Sequence, residues 1–239
     1  QATIARQLEQ RYLWILLAFA AAIRLYDLGG KQLWVDEIMQ ATASSPRLSL
    51  AGVLRAVTGH VGATPLDYVV QHYVTGLLGQ TEFALRLHAA AFGTVTIAAL
   101  YYLFRMLLDS RRALLSAALY AVYPLHHHYS QEGRPYALFV FLTVLSYLTF
   151  CKVLAGRGSG SWILYGATNA LLLYSQYFGM FVLASQVVIS LAMLWHRARH
   201  SLPWCRKVDF RFLAIQAATL GAAVVLFLPW IFYGIRTVQ

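Results

Sequence analysis

The sequence predicts an all-α fold, a polytopic transmembrane helical bundle with about seven spans and amphipathic interfacial helices in its first outer loop. Three observations carry this reading. The 239 residues are 59% hydrophobic and only 12% charged, an apolar fraction well above that of a soluble domain. The apolar residues are gathered into runs long enough to cross a bilayer core. Lys and Arg give a formal net charge of +10, yet they fall in short stretches between those runs and form no single basic face. A lipid bilayer explains that distribution and nucleic acid does not.

Gln1 to Arg11 is polar and leads into Tyr12 to Leu28, a run that spans a core with some tilt. It is not expected to be a cleaved signal peptide, because further apolar runs follow at once instead of a soluble domain. Arg24, near the far end, is expected to snorkel to the headgroups. From residue 29 to 82 the hydropathy drops and two amphipathic patterns appear. Ser49 caps a helix in which Leu50, Val53, Leu54 and Val57 share one face and Arg55 lies on the other. Pro65 to Gly79 sets Leu66, Val69, Val70, Tyr73, Val74, Leu77 and Leu78 against Asp67, Gln71, His72 and Thr75. It is short for a span, and its two-faced pattern suits a helix lying in the interface plane.

The further spans are Phe83 to Leu108, Ala113 to Tyr129, Pro135 to Leu154, Trp162 to Phe178, Gly179 to Trp195 and Phe210 to Gly234, which makes seven with the first. Gly156 to Gly160 is a flexible connector, and His196 to Asp209 a basic loop broken by Pro203. Neither is long enough to be a domain, so residues 1–239 form one module with its first outer loop at about 29–82.

Charge sets the topology. With the 65–79 helix flat and the N-terminus inside, twelve Lys and Arg are cytoplasmic against five outside; if that helix spans, the count is four against 13. The positive-inside rule favours the first arrangement. Cys151 and Cys205 then lie at the cytoplasmic side, lack metal-ligand spacing, and are expected to form no disulfide. Asp36, Glu37, His60, His126 to His128, Glu132 and Arg134 all land on the opposite, non-cytoplasmic face.

Those residues are the candidates for chemistry. Asp36 and Glu37 are adjacent acids just after the first span; adjacent helical residues point about 100° apart, so only one can aim squarely at a substrate. An ionised carboxylate there can take a proton from an acceptor hydroxyl, and an N-cap role for Asp36 is compatible with that chemistry. In the stretch His126 to Tyr136, Arg134 offers a planar fork of donors to a phosphate or serves as an interfacial anchor, and Glu132 adds a second acid. The three His read more readily as interface filler than as metal ligands, since neighbours on a helix diverge. Arg86 is read as a headgroup anchor. His60 and the outer turn Tyr174 to Gly179, with Gln176, can line the same cleft. The acids can hold a divalent cation or work alone.

Taken as an ordered set, Arg24-Leu25, Leu33-Trp34-Val35-Asp36-Glu37, Thr64-Pro65-Leu66-Asp67-Tyr68, Glu82 to Leu87, Tyr129 to Leu138 and Tyr174 to Gly179 resemble the family 39-like glycosyltransferases. These are C-type integral-membrane enzymes related to protein O-mannosyltransferases and lipid A aminoarabinose transferases. The resemblance implies a polyprenyl-phosphate-linked sugar as donor, and an acceptor lipid, glycan or protein. It implies a multi-pass protein of the plasma (inner) membrane with its active site facing outside. It favours Asp36 as catalytic acid, with Glu37 beside it, and Arg134, Glu132, Tyr136, His60 and Gln176 as donor-phosphate or substrate contacts. Members are longer than this chain, so a C-terminal truncation is expected. The rival class is a transporter or flippase for a lipid-linked or anionic substrate, which predicts ionisable residues near span midpoints and paired discontinuous helices. The charges cluster at one face instead.

Overall fold

The computed structural model describes residues 2–60, 62–195 and 208–237, and among these the regular structure is helical, with eleven helices and no strand. Helix α1 (Ala2–Leu25) begins ahead of the predicted Tyr12, because Gln7, Leu8, Glu9 and Gln10 are themselves good helix formers. Three short helices follow, α2 (Val35–Ala43), α3 (Leu50–Thr58) and α4 (Pro65–Leu78), then α5 (Glu82–Leu107), α6 (Ser110–Ala121), α7 (Pro124–Tyr129), α8 (Tyr136–Leu154), α9 (Ser159–Ser175), α10 (Gly179–Trp195) and α11 (Phe210–Thr237).

Glu82–Leu107, Tyr136–Leu154 and Phe210–Arg236 are long and apolar enough to cross a membrane, as expected of an integral membrane protein. The third expected span departs from the reading. Ala113 to Tyr129 is not one helix: Pro124 has no N–H and holds Tyr123 extended (φ −63°, ψ 120°), so α6 stops and α7 restarts with Pro124 in its first turn. The 12 residues of α6 reach only about 18 Å, well short of a hydrocarbon core of about 30 Å. Much of the basic loop at 196–207, Cys205 included, lies outside the described residues.

Helix α5 is the hub, packing on α1, α4, α6 and α8. On the α1 side the contact is made by small side chains: Ala20, Ala113, Ala117 and Ala121 are all fully buried and let the backbones approach closely. Arg24 is drawn into this region. It is 0% exposed, donating to the carbonyls of Ala20 (3.0 Å) and Ala121 (3.2 Å), so it does not snorkel. The break after α6 explains why: it leaves the Ala121 carbonyl without an intrahelical donor, and the guanidinium fills that place. Gly93 of α5 provides the space. A Cβ there would overlap Ser130 and come within 3.2 Å of Arg24 Nε, while its carbonyl faces His126 Nε2 at 3.2 Å. Gly93→Ala is therefore expected to cost about 1–3 kcal/mol of stability, read as a lowered unfolding temperature in detergent.

The other half of the bundle is tied by a buried polar clasp. Ser146 of α8 donates to Asn169 of α9 (2.9 Å), Gln186 of α10 donates back to Ser146 (2.7 Å), Tyr165 of α9 donates to Gln186 (2.7 Å), and Gln216 of α11 approaches the Tyr165 hydroxyl (3.4 Å). Within a bilayer such side chains find partners only in one another. Around them pack Phe150, Leu172, Phe212 and Leu220.

The loops α1–α5, α7–α8 and α9–α10 gather at one end of this bundle. There α3 follows expectation, capped by Ser49 at Gly52 N–H (3.2 Å) with Val53 and Val57 buried. Helix α4 turns its polar face inward: Asp67, Gln71 and Thr75 are buried, whereas Tyr73, Leu77 and Leu78 are exposed. That inverted face builds the floor of the site.

Candidate active site

Helix α2 starts from Trp34, extended at φ −90°, ψ 169°. Asp36 and Glu37 fill the first turn, where carboxylates suit the positive end of the helix dipole, so Asp36 is not the N-cap. Their side chains diverge as the helical repeat requires. Asp36 is 41% exposed and Glu37 is 2% exposed.

Glu37 faces the protein interior. It accepts from Arg86 Nε (2.8 Å) and Nη2 (2.7 Å), from the Gly133 N–H (2.7 Å), and from the Trp34 N–H (3.4 Å). Burial alone would push its carboxyl up, but the hydrogen bonds from Arg86 and Gly133 outweigh burial and hold it below the usual carboxylate range. Arg86 spends its remaining donors on the carbonyls of Leu28 (3.1 Å), Lys31 (2.8 Å) and Gln32 (3.2 Å). It is thus no headgroup anchor, but a clamp holding the end of α1 and the start of α2 onto α5. Glu37, expected beside Asp36 as a catalytic acid, is turned away from the cleft that Asp36 faces.

Asp36 points into a cleft of about 520 Å³ whose walls include His60, Tyr68, Arg134, Tyr136 and Gln176. Arg134 approaches it twice: Nη1 donates to the Asp36 carbonyl (3.2 Å), and Nη2 stands 3.7 Å from Oδ2. The segments 36–37 and 133–134 are therefore latched reciprocally. Glu37 accepts a main-chain N–H from one segment, and Arg134 donates to a main-chain carbonyl of the other. The guanidinium lies 5.9 Å from the centroid of the Tyr136 ring, and His60 stacks on Tyr68 at 6.2 Å. Burial, opposed by the Arg134 charge, leaves the Tyr68 hydroxyl above its ordinary pKa. An exposed carboxylate beside a guanidinium, in a partly aromatic cleft, can accept a proton next to a site for a phosphate.

Glu132 does not join this cleft. It lies in a neighbouring one of about 410 Å³ with Lys31, Gln32, Glu37, Arg86 and His128. Burial raises its pKa, with the nearby Glu37 adding to the rise against the opposing His128, which sits 2.9 Å away. The three His diverge around the short helix α7: His126 is buried against Gly93 and His128 pairs with Glu132. Among the described residues no three His, Cys, Asp or Glu side chains converge.

The sequence reading left Tyr68 out of the site, along with the network beneath it. Gln40 of α2 donates to Asp67 (2.6 Å), which also meets His88 of α5 (3.3 Å). Ser44 donates to Gln71 (2.6 Å), and Gln71 donates to the carbonyls of Leu85 (2.9 Å) and Gly133 (3.3 Å). Polar residues on one face of α4 and one face of α2 were the available signal. Read as pairing partners instead of a solvated face, they would have placed α2 upon α4.

This arrangement can be set beside known proteins. A family model for dolichyl-phosphate-mannose-protein mannosyltransferases matches residues 63–233. The chain belongs to that family. The match takes in Tyr68, Arg134, Tyr136 and Gln176 and begins after Asp36. In three dimensions this family member is similar to the S. cerevisiae protein O-mannosyltransferase Pmt1-Pmt2 complex bound to the sugar donor, with a TM-score of 0.69 at 18% identity, over 97% of this chain and 34% of that one. It is also similar to the apo oligosaccharyltransferase of Archaeoglobus fulgidus, with a TM-score of 0.63 at 16% identity, over 91% of this chain and 29% of that one. A form of the archaeal enzyme tethered with an acceptor peptide containing the NVT sequon gives 0.54 at 14% identity, over 95% and 34% of the two chains. At such identities the likeness is one of fold alone. The chain spans about a third of the length of these proteins. Comparison with curated protein sequences gives no match.

Proposed function

We propose that this module carries the catalytic cleft of a membrane glycosyltransferase that moves a sugar from a polyprenyl-phosphate-linked donor to a hydroxyl-bearing acceptor lipid, glycan or protein. The observation that carries the reading is the exposed Asp36 carboxylate 3.7 Å from Arg134, in a cleft at one end of a helical bundle. In the reaction, Asp36 takes the proton of the acceptor hydroxyl as its oxygen bonds to the anomeric carbon. The bond from that carbon to the phosphate oxygen breaks, with inversion, and the polyprenyl phosphate leaves with the electron pair. Arg134 neutralises charge developing on that leaving group. His60, Tyr68, Tyr136 and Gln176 border the sugar, and Glu37 acts as a positioning residue through Gly133 and Arg86.

Because the positive-inside rule puts the excess of Lys and Arg on the cytoplasmic side and Asp36 and Arg134 on the other, the cleft is assigned to the outer face of a seven-span protein in the plasma (inner) membrane. The short α9 and α10 and the broken α6–α7 pair would count among those spans.

The test is transfer of labelled sugar from short-chain polyprenyl-phosphate sugars by the intact protein in proteoliposomes, with movement of the donor across the bilayer followed in parallel. Arg134→Gln is expected to lower kcat/KM roughly 100-fold. Donor movement without transfer in the wild type would instead assign a flippase, and wild-type kcat/KM in Arg134→Gln would remove that residue from the reaction.

A further inference from the structure

A second polar cleft, of about 620 Å³, lies between α1, α5 and α8 and is bordered by Glu9, Tyr102, Arg105, Leu148, Lys152 and Arg157. The reaction proposed above does not use it. Along α5, Arg105 stands about 28 Å from Arg86, at about 1.5 Å per residue, which is close to one hydrocarbon thickness of about 30 Å. The two clefts therefore sit near opposite ends of α5, about one hydrocarbon thickness apart.

The charges of this second cleft are unbalanced. Glu9 bonds Tyr101 and Arg105, the latter at 2.7 Å, which accounts for one cation and the one carboxylate. Among the described residues Lys152, in the last turn of α8, and Arg157, just beyond it, have no acidic partner. Below them the wall is apolar, with Leu13 and Leu148 buried behind it and the half-buried Met106 and the exposed Tyr102 on its surface. Two uncompensated cations above an apolar slot between spanning helices match a phosphate headgroup with its acyl chains lying along the protein. A soluble phosphate would use the cations and leave the slot unfilled.

We infer that this cleft is a binding site for an anionic phospholipid, its headgroup phosphate held by Lys152 and Arg157 and its chains lying against Tyr102 and Met106. The site is separate from the Asp36 cleft and serves as a lipid contact near the other end of α5.

Native mass spectrometry of the intact protein, released from detergent with phosphatidylglycerol, phosphatidylcholine or inorganic phosphate, tests this. The wild type is expected to retain one phosphatidylglycerol in clear preference to phosphatidylcholine, and no inorganic phosphate. Each cation near a membrane surface is worth roughly 5-fold in affinity, so Lys152→Gln with Arg157→Gln should weaken retention roughly 30-fold. Arg157→Gln alone, at an exposed loop position, should give about 5-fold with unchanged unfolding temperature, and Arg134→Gln should leave retention unchanged. Equal retention of both lipids, retention of inorganic phosphate in place of lipid, undiminished retention by the double variant, or loss of the lipid in Arg134→Gln would each overturn the assignment.

Discussion

Asp36→Asn is expected to lower kcat for sugar transfer by about 1,000-fold, while the unfolding temperature stays within a degree or two of wild type. The size follows from the role: a positioned base contributes roughly 100- to 10,000-fold, and an amide of the same shape cannot take a proton. Retained stability follows from exposure. The Asp36 side chain is 41% exposed, its contact with Arg134 at 3.7 Å is long, and the closer Arg134 bond goes to the Asp36 carbonyl, which the substitution keeps. Donor binding, measured as KM, should change little, because the phosphate contact is assigned to Arg134. Turnover at the wild-type rate in this variant would remove Asp36 from the chemistry.

Breaking the Glu37–Arg86 pair acts on stability first. Both side chains are within 5% of full burial, and removing one partner of a buried ion pair costs about 3–5 kcal/mol, because the other charge is left uncompensated. Glu37→Gln and Arg86→Met should each lower the unfolding temperature sharply. The double variant should lose less than the sum, since the residues share one network. The pH dependence has a definite sign. The folded-state pKa of Glu37 is depressed, so its stabilisation is complete above the ordinary carboxylate range and is lost as pH falls through the lowered value. The stability gap between wild type and Glu37→Gln should therefore be flat above about pH 5 and shrink under acid. A gap that stays constant into strong acid would show that the Glu37 charge stabilises nothing.

Much of this was legible in the chain. Alternation of apolar runs and basic loops points to the helical bundle, and loop charge puts Asp36, His60 and Arg134 on one face without saying that they meet. Other features depended on facts that spacing does not carry. The helical repeat makes Asp36 and Glu37 diverge but does not say which one turns inward; that is decided by Arg86 and the Gly133 N–H, 49 and 96 residues away. Hydropathy alone carried the third span through Pro124, although the missing N–H of that residue was visible in the sequence. Arg24 and the polar face of α4 were read against water or headgroups as the default partner for polar groups. In this bundle the partners are carbonyls of a broken helix and polar side chains of α2 and α5.

The reciprocal latch between residues 36–37 and 133–134 also fixes what can be exchanged between relatives. Each segment supplies a side chain to the other's main chain, so neither keeps its position without its counterpart. A chimera that imports the α1–α2 loop alone inherits a carboxylate with a foreign docking partner. The smallest portable unit is the two segments together, with Arg86 as the peg that holds Glu37.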